Sequence, residues 1–161
     1  MSSLARIDSI ELAYYILGRI KNVKHLKLQK LIYYIEAWHL AVFGESIVRD
    51  EFEAWLHGPV SRKVWREFKD ASQLYAVITA DKDRCRQAER QITRALDEDQ
   101  VELIEDVLKE YGSKTAYHLE MLTHREQPWI EARKGVPDGA ACSTAISKSL
   151  MKKYYAARLE K

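Results

Sequence analysis

Apolar and polar residues alternate along most of this chain with the period of an α-helix. Ile10, Ala13, Tyr14 and Leu17 recur at helical spacing, and Asp8 followed by Glu11 has the spacing of a capping box, which predicts a first helix over 9–20. Leu28, Leu31, Ile32, Ile35, Trp38 and Val42 form the stripe of a second helix over 27–43, with Gly44 placed as its left-handed stop. The period then shifts to two. Phe52, Ala54 and Leu56 alternate with Glu51, Glu53, Trp55 and His57, and Ile47–Val48 precede an Arg49–Asp50 break, so a short β-hairpin is expected near 47–56. Gly58 and Pro59 are expected to end it and open a third helix with a buried edge of Val60, Val64 and Phe68.

Residues 71–96 carry no clean period and are left unassigned; 74–78 reads as either a strand or a helix tail. Order returns at Asp97 and Gln100, a second capping-box spacing, ahead of the face Val101, Ile104, Leu108 and Tyr111 and the stop at Gly112. Ser113 is expected to cap a helix reaching His124 with Ala116, Leu119 and Leu122 inward, and Pro128 to start a short helical turn carrying Trp129. The 135–140 stretch, GVPDGA, is a loop by its turn residues. Ser143 or Thr144 is expected to cap a last helix bearing Ile146, Leu150, Met151, Tyr154 and Leu159. The pattern predicts one mainly α domain over 1–161, with six to seven helices and two or three small strands at most.

Composition agrees with a globular helical domain: 161 residues, 47% apolar and 31% charged, with six Gly and three Pro. A net charge of +2 demands neither a nucleic-acid nor a membrane partner. Two distant cysteines, Cys85 and Cys142, read as reduced thiols, and no secretory leader or long apolar span is visible, so a cytoplasmic protein is expected.

Catalytic chemistry finds no foothold. The glycines are scattered away from phosphate-cradling spacing, there is no nucleophile elbow, and His118 and His124 lie on different faces of one helix. The acid pairs Glu51/Glu53 and Glu105/Asp106 read as solvated faces. The expectation is a protein that is not an enzyme, with no catalytic, metal or cofactor site. Two basic runs, Lys21/Lys24/Lys27/Lys30 and Arg62/Lys63/Arg66, could each touch phosphates, but a helix needs a polar side in any case, and the solvated reading is preferred.

Three blocks carry a family resemblance: KLQKLIYYIEAWHLAVFG at 27–44, EAWLHGPVSRKVWREF at 53–68, and VLKEYGSKTAYHLEMLTHREQPWIEAR at 107–133, followed by AISKSLMKKYY at 145–155. In that order and with those gaps the chain resembles the Panacea-domain (SocA-like) antitoxins over about two-thirds of its length. The resemblance implies a mostly helical protein encoded beside a toxin gene in bacteria, plasmids or phages, including prophages, which neutralises that toxin by direct binding. One branch of the family instead delivers its toxin to a cytosolic protease, and a DNA-binding autoregulator is the rival from another class. No catalytic residues come with the resemblance.

Among the motif residues, Trp38, Trp55, His57, Gly58, Pro59, His124 and Trp129 are expected to hold the scaffold, with Phe43 and Val60 beside them. For Trp55 and Trp129 the alternative is partner contact, since tryptophan is a common interface anchor. A buried Trp55 would cost roughly 3–5 kcal/mol on truncation to Ala. His57 is expected to be buried and bonded to backbone, the alternative being a pocket rim, and His124 to join a helix-terminating hydrogen-bond network. Partner contact is expected instead on exposed aromatic and basic side chains: Tyr33 or Tyr34, Trp65, Arg66 and Tyr155.

Overall fold

The computed structural model describes residues 4–69 and 74–159. Its axis is α2 (His25–Phe43), capped by Gly44 in the left-handed conformation with φ 76°. An amphipathic helix buries one stripe, whereas α2 is enclosed on most of its circumference. Leu28, Leu31, Ile32 and Ile35 are inaccessible to solvent, and so are Gln29, Lys30, Glu36 and His39. Full burial of each such aliphatic side chain contributes about 1.5–3 kcal/mol. The cover comes from α1 (Ser9–Arg19), α5 (Glu98–Tyr111), α6 (Ala116–His124) and α8 (Lys148–Leu159), while α4 (Lys82–Ala95) packs on the outer side of α1.

The helix starts follow side-chain chemistry closely. Asp8 accepts from the Ile10 amide, but Glu11 does not complete a box, because its carboxylate pairs with Arg84 of α4 instead. At α5 the box forms in full between Asp97 and Gln100. The cap of α6 is Thr115 rather than Ser113, and Ser147 rather than Ser143 or Thr144 serves the start of α8. Val42, expected in the buried stripe, is 47% exposed, because the stripe drifts around the helix over its last turn. Within the unassigned stretch, 82–95 is helical; 74–78 is irregular, and residues 71–73 lie outside the described part.

The hairpin is real but shifted. β1 (Phe52–Trp55) pairs antiparallel with β2 (Gly58–Ser61) in the register Phe52↔Ser61, Ala54↔Pro59. Gly58 and Pro59 therefore do not open a helix. Pro59 is tolerated because it faces Ala54 across a pair that exchanges no hydrogen bonds, so its missing amide would have pointed away from β1. The third helix, α3 (Arg62–Phe68), starts one strand later, with the Ser61 hydroxyl accepting from the Val64 amide. On the other side of β1, Ala54 donates to the Thr144 carbonyl and Ile146 donates to Phe52, so 144–146 adds a third short extended segment where a helix cap was expected. With α7 (Gln127–Ala132), whose first turn holds Pro128 as expected, there are eight helices among the described residues. The chain is mainly α with one small hairpin.

Candidate partner-binding face

The hairpin is where the family-like blocks converge. The outward backbone groups of β2 are met by side chains of α2. Ser61 donates its amide to Gln29 Oε1 at 2.8 Å and accepts from Gln29 Nε2 at 3.3 Å, and the Pro59 carbonyl accepts from Lys30 Nζ at 2.9 Å. Gly58 sits over Lys30 with φ 109°, and a Cβ there would overlap Lys30 Cε and stand 2.8 Å from Thr123 Oγ1. Burial lowers the Lys30 ammonium to about 7, against a partial opposing pull from the Glu120 carboxylate. On the far side Trp129 donates to the Trp55 carbonyl at 2.9 Å, and the His124 ring stacks on Trp129 at 4.1 Å. His124 Nε2 is buried without a hydrogen-bond partner among the described residues, and burial holds the ring below its usual pKa.

Above this clamp the surface changes character. His57 is not buried and bonded to backbone. Its side chain is 38% exposed, with Nδ1 3.0 Å from Glu120 Oε2, because the hairpin turn pushes it outward to the rim of a groove. That groove, about 500 Å³, is lined by Trp55, His57, Arg62, Leu74 and Cys142 among others. Trp55 is half-buried, not fully buried. Its indole N–H donates to Glu53 at 2.8 Å, its ring meets Trp65 edge-on at 5.8 Å, and Arg62 lies over it at 5.4 Å. Arg62 also grips Glu53 through two hydrogen bonds of 2.8 and 3.1 Å, which pulls the Glu53 carboxyl below its ordinary pKa. Trp65 is half-buried and Arg66 exposed, one turn along α3 from Arg62. Tyr75, 51% exposed, sets its ring 5.8 Å from that of His57 and extends the aromatic rim.

The other expected contact residues are elsewhere. Tyr33, Tyr34 and Tyr155 are 1%, 0% and 0% exposed, so they are withdrawn from any partner surface. They form a buried cluster around Glu126: Tyr34 and Tyr155 donate to Glu126 Oε1 at 2.8 and 2.7 Å, and the Tyr33 and Tyr155 hydroxyls lie within hydrogen-bond distance at 3.2 Å. α2 is covered by α8 on this flank, which the helical period of α2 alone could not reveal. Desolvation raises the Glu126 carboxyl despite those donors. Trp38 is half-buried on the next turn and donates to the Tyr111 hydroxyl at 2.9 Å.

The first basic run dissolves as a surface. Lys30 is inaccessible and Lys27 donates to the Gly112 carbonyl at 2.6 Å, so the run forms no continuous face. In the second, Arg62 pairs with Glu53 and Lys63 with Asp8. Among the described residues no three His, Cys, Asp or Glu stand together as metal ligands, and no helix is long and apolar enough to cross a membrane. Sequence reasoning missed Arg62, Leu74 and Cys142 at the groove, and Gln29, Ser61, Glu120 and Thr123 beneath it. The signal for Gln29 and Lys30 was available: two polar residues inside an otherwise apolar helical block.

Comparison with known proteins adds two matches. The profile of the family described as "Antitoxin SocA-like, Panacea domain" matches residues 28–130. Antitoxin SocA of Caulobacter vibrioides (strain NA1000 / CB15N) is 33% identical over 109 residues, which cover 66% of this chain and 58% of that protein, so the chain spans less than two thirds of the relative. No solved structure matches.

Proposed function

The chain belongs to the SocA-like, Panacea-domain antitoxin family, and from that premise we propose that it neutralises a cognate protein toxin, encoded by a neighbouring gene, by direct binding. The observation that carries this reading is the Trp55–Trp65 pair, half-exposed, clasped by Arg62 and continued by exposed Arg66 beside an open groove. Tryptophan and arginine at the centre of a surface are the side chains that anchor interfaces. Both indoles ride on backbone fixed from below by Gln29, Lys30 and Trp129, so the face needs little ordering on binding. A specific complex buries at least about 1,000 Å² in total, so a partner seated on the tryptophan pair must also cover the groove rim.

The role is a binding one and not catalytic. Delivery to a cytosolic protease is the second reading within the same class. Purified protein would then leave the toxin active in a protease-free assay, whereas a direct blocker silences it. A DNA-binding role is not favoured, since Lys30 of the first run is buried and Lys27 is bonded to backbone, which leaves only Lys21 and Lys24 exposed there. A gel shift on the upstream promoter, titrated with salt, tests that rival.

A further inference from the structure

A second surface lies away from the hairpin, in the groove between the C-terminal half of α2 and α5. It measures about 360 Å³ and is lined by Trp38, Val42, Leu103, Asp106, Val107 and Glu110, with Tyr111 closing one end. Its floor is apolar, and the Trp38 N–H is already given to Tyr111. Val42, 47% exposed, leaves a β-branched side chain in water where the rest of α2 is covered.

The two walls differ in charge. α2 contributes Trp38 and Val42, one turn apart and uncharged. α5 carries Glu98, Asp99, Glu102, Glu105, Asp106 and Glu110 against one cation, Lys109. Only Glu105 of these carboxylates is engaged in an ion pair among the described residues, with Arg19 on the opposite side of the helix. Asp99, Leu103, Asp106 and Glu110 succeed one another at steps of four, three and four, which aligns them in one ridge roughly 16 Å long beside the groove.

We propose that this groove is a docking site for an amphipathic helix of a partner protein with an apolar stripe flanked by lysine or arginine. An apolar trough between two helices, with ridges spaced by three or four residues along its walls, takes a third helix by the same ridge-in-groove packing that joins the first two. The acidic ridge selects the charge of its flank. A second copy of this chain does not meet the requirement. Its basic helix α4 exposes Arg86, Arg90 and Arg94 at steps of four but buries its apolar side chains Ala88 and Ile92 against the core. The exposed Tyr117, Ile130 and Leu159 stand singly on three different helices.

The test uses the full chain and two synthetic peptides of roughly five helical turns, identical in their leucine stripe and carrying either lysine or glutamate along its flanks. Calorimetry is run at low and physiological salt, with wild type, the surface variant Asp106→Lys/Glu110→Lys, and Val42→Asp. Circular dichroism confirms that each variant keeps its helical content. The expected result is that the lysine peptide binds wild type at micromolar concentration, more weakly as salt rises, and the glutamate peptide does not. Both variants weaken binding at least tenfold. Equal binding of the two peptides, binding of neither, or a charge-reversed variant that binds like wild type overturns the proposal. So does a concentration-dependent dimer that Val42→Asp abolishes, because the occupant is then a second copy.

Discussion

Gln29 holds Ser61 the way a neighbouring strand would, its amide oxygen accepting from the Ser61 N–H and its amide nitrogen donating to the Ser61 carbonyl, at 2.8 and 3.3 Å. A side chain on a helix thus closes the outer edge of a two-stranded hairpin, and Lys30 does the same for the next outward carbonyl, that of Pro59. An edge satisfied in this way offers no template for a further strand. The hairpin therefore presents its turn and its Trp55 side to a partner, and its backbone is spoken for.

Gln29→Leu leaves the Ser61 amide and carbonyl buried without partners, and should destabilise the fold by about 2–4 kcal/mol. Urea denaturation measures it. A loss below about 1 kcal/mol would mean that water takes over both groups and that the clamp is dispensable.

Gly58→Ala meets two obstacles: a left-handed φ of 109° and overlap with Lys30 Cε and Thr123 Oγ1. The expected cost is about 2–4 kcal/mol, seen as a lower melting temperature. Trimming Lys30 at the same time should restore only part of it, because the backbone strain stays.

Lys30 gives a pH signature. Its pKa, about 7 in the fold, lies below the ordinary lysine value of 10.5, so between those values the unfolded chain binds the extra proton. Stability should accordingly rise with pH from about 7 towards 10, by up to about 1.4 kcal/mol per unit, and be flat with respect to this group below 7. Glu120 is the opposing charge, and His57 lies beyond it. Denaturation midpoints at pH 7, 8 and 9 for wild type and Lys30→Met check this: the variant should lose the slope. An equal slope in both would assign it to another group.

The fold was legible wherever one side chain decides one local event. Asp8, the Asp97/Gln100 box, Gly44 and Pro128 mark helix ends in the sequence because capping is a local hydrogen bond or a local φ. What could not be read is cover. Tyr33 and Tyr34 are adjacent on α2, so one periodic stripe cannot bury both; α8 and Glu126, from the far end of the chain, do so. The hairpin register slipped for a similar reason. Pro59 signals a helix start locally, and only the outward-facing position on an edge strand, set by α2, makes it a strand residue. For the candidate face, Trp65 and Arg66 were visible as side chains off the buried line of α3, whereas Arg62 joins them only through Glu53 across the hairpin.

Trp55 separates stability from binding. Being half-buried, with one bond to Glu53 and one cation over its ring, it should cost about 1–2 kcal/mol of stability when replaced by Ala, less than a fully buried indole. If it anchors a partner, the loss in binding should exceed that figure. Calorimetric unfolding and titration on the same preparation compare the two.

The most direct test of the account is titration calorimetry of the purified chain with the purified product of the adjacent toxin gene, in buffer without nucleotide, metal or protease. The account predicts a stable complex that silences the toxin, and a double variant Trp65→Ala/Arg66→Glu that binds roughly a hundredfold more weakly, about 3 kcal/mol, with unchanged helical content. A wild-type chain that fails to bind the toxin, or a double variant that binds and silences it as wild type does, would contradict it.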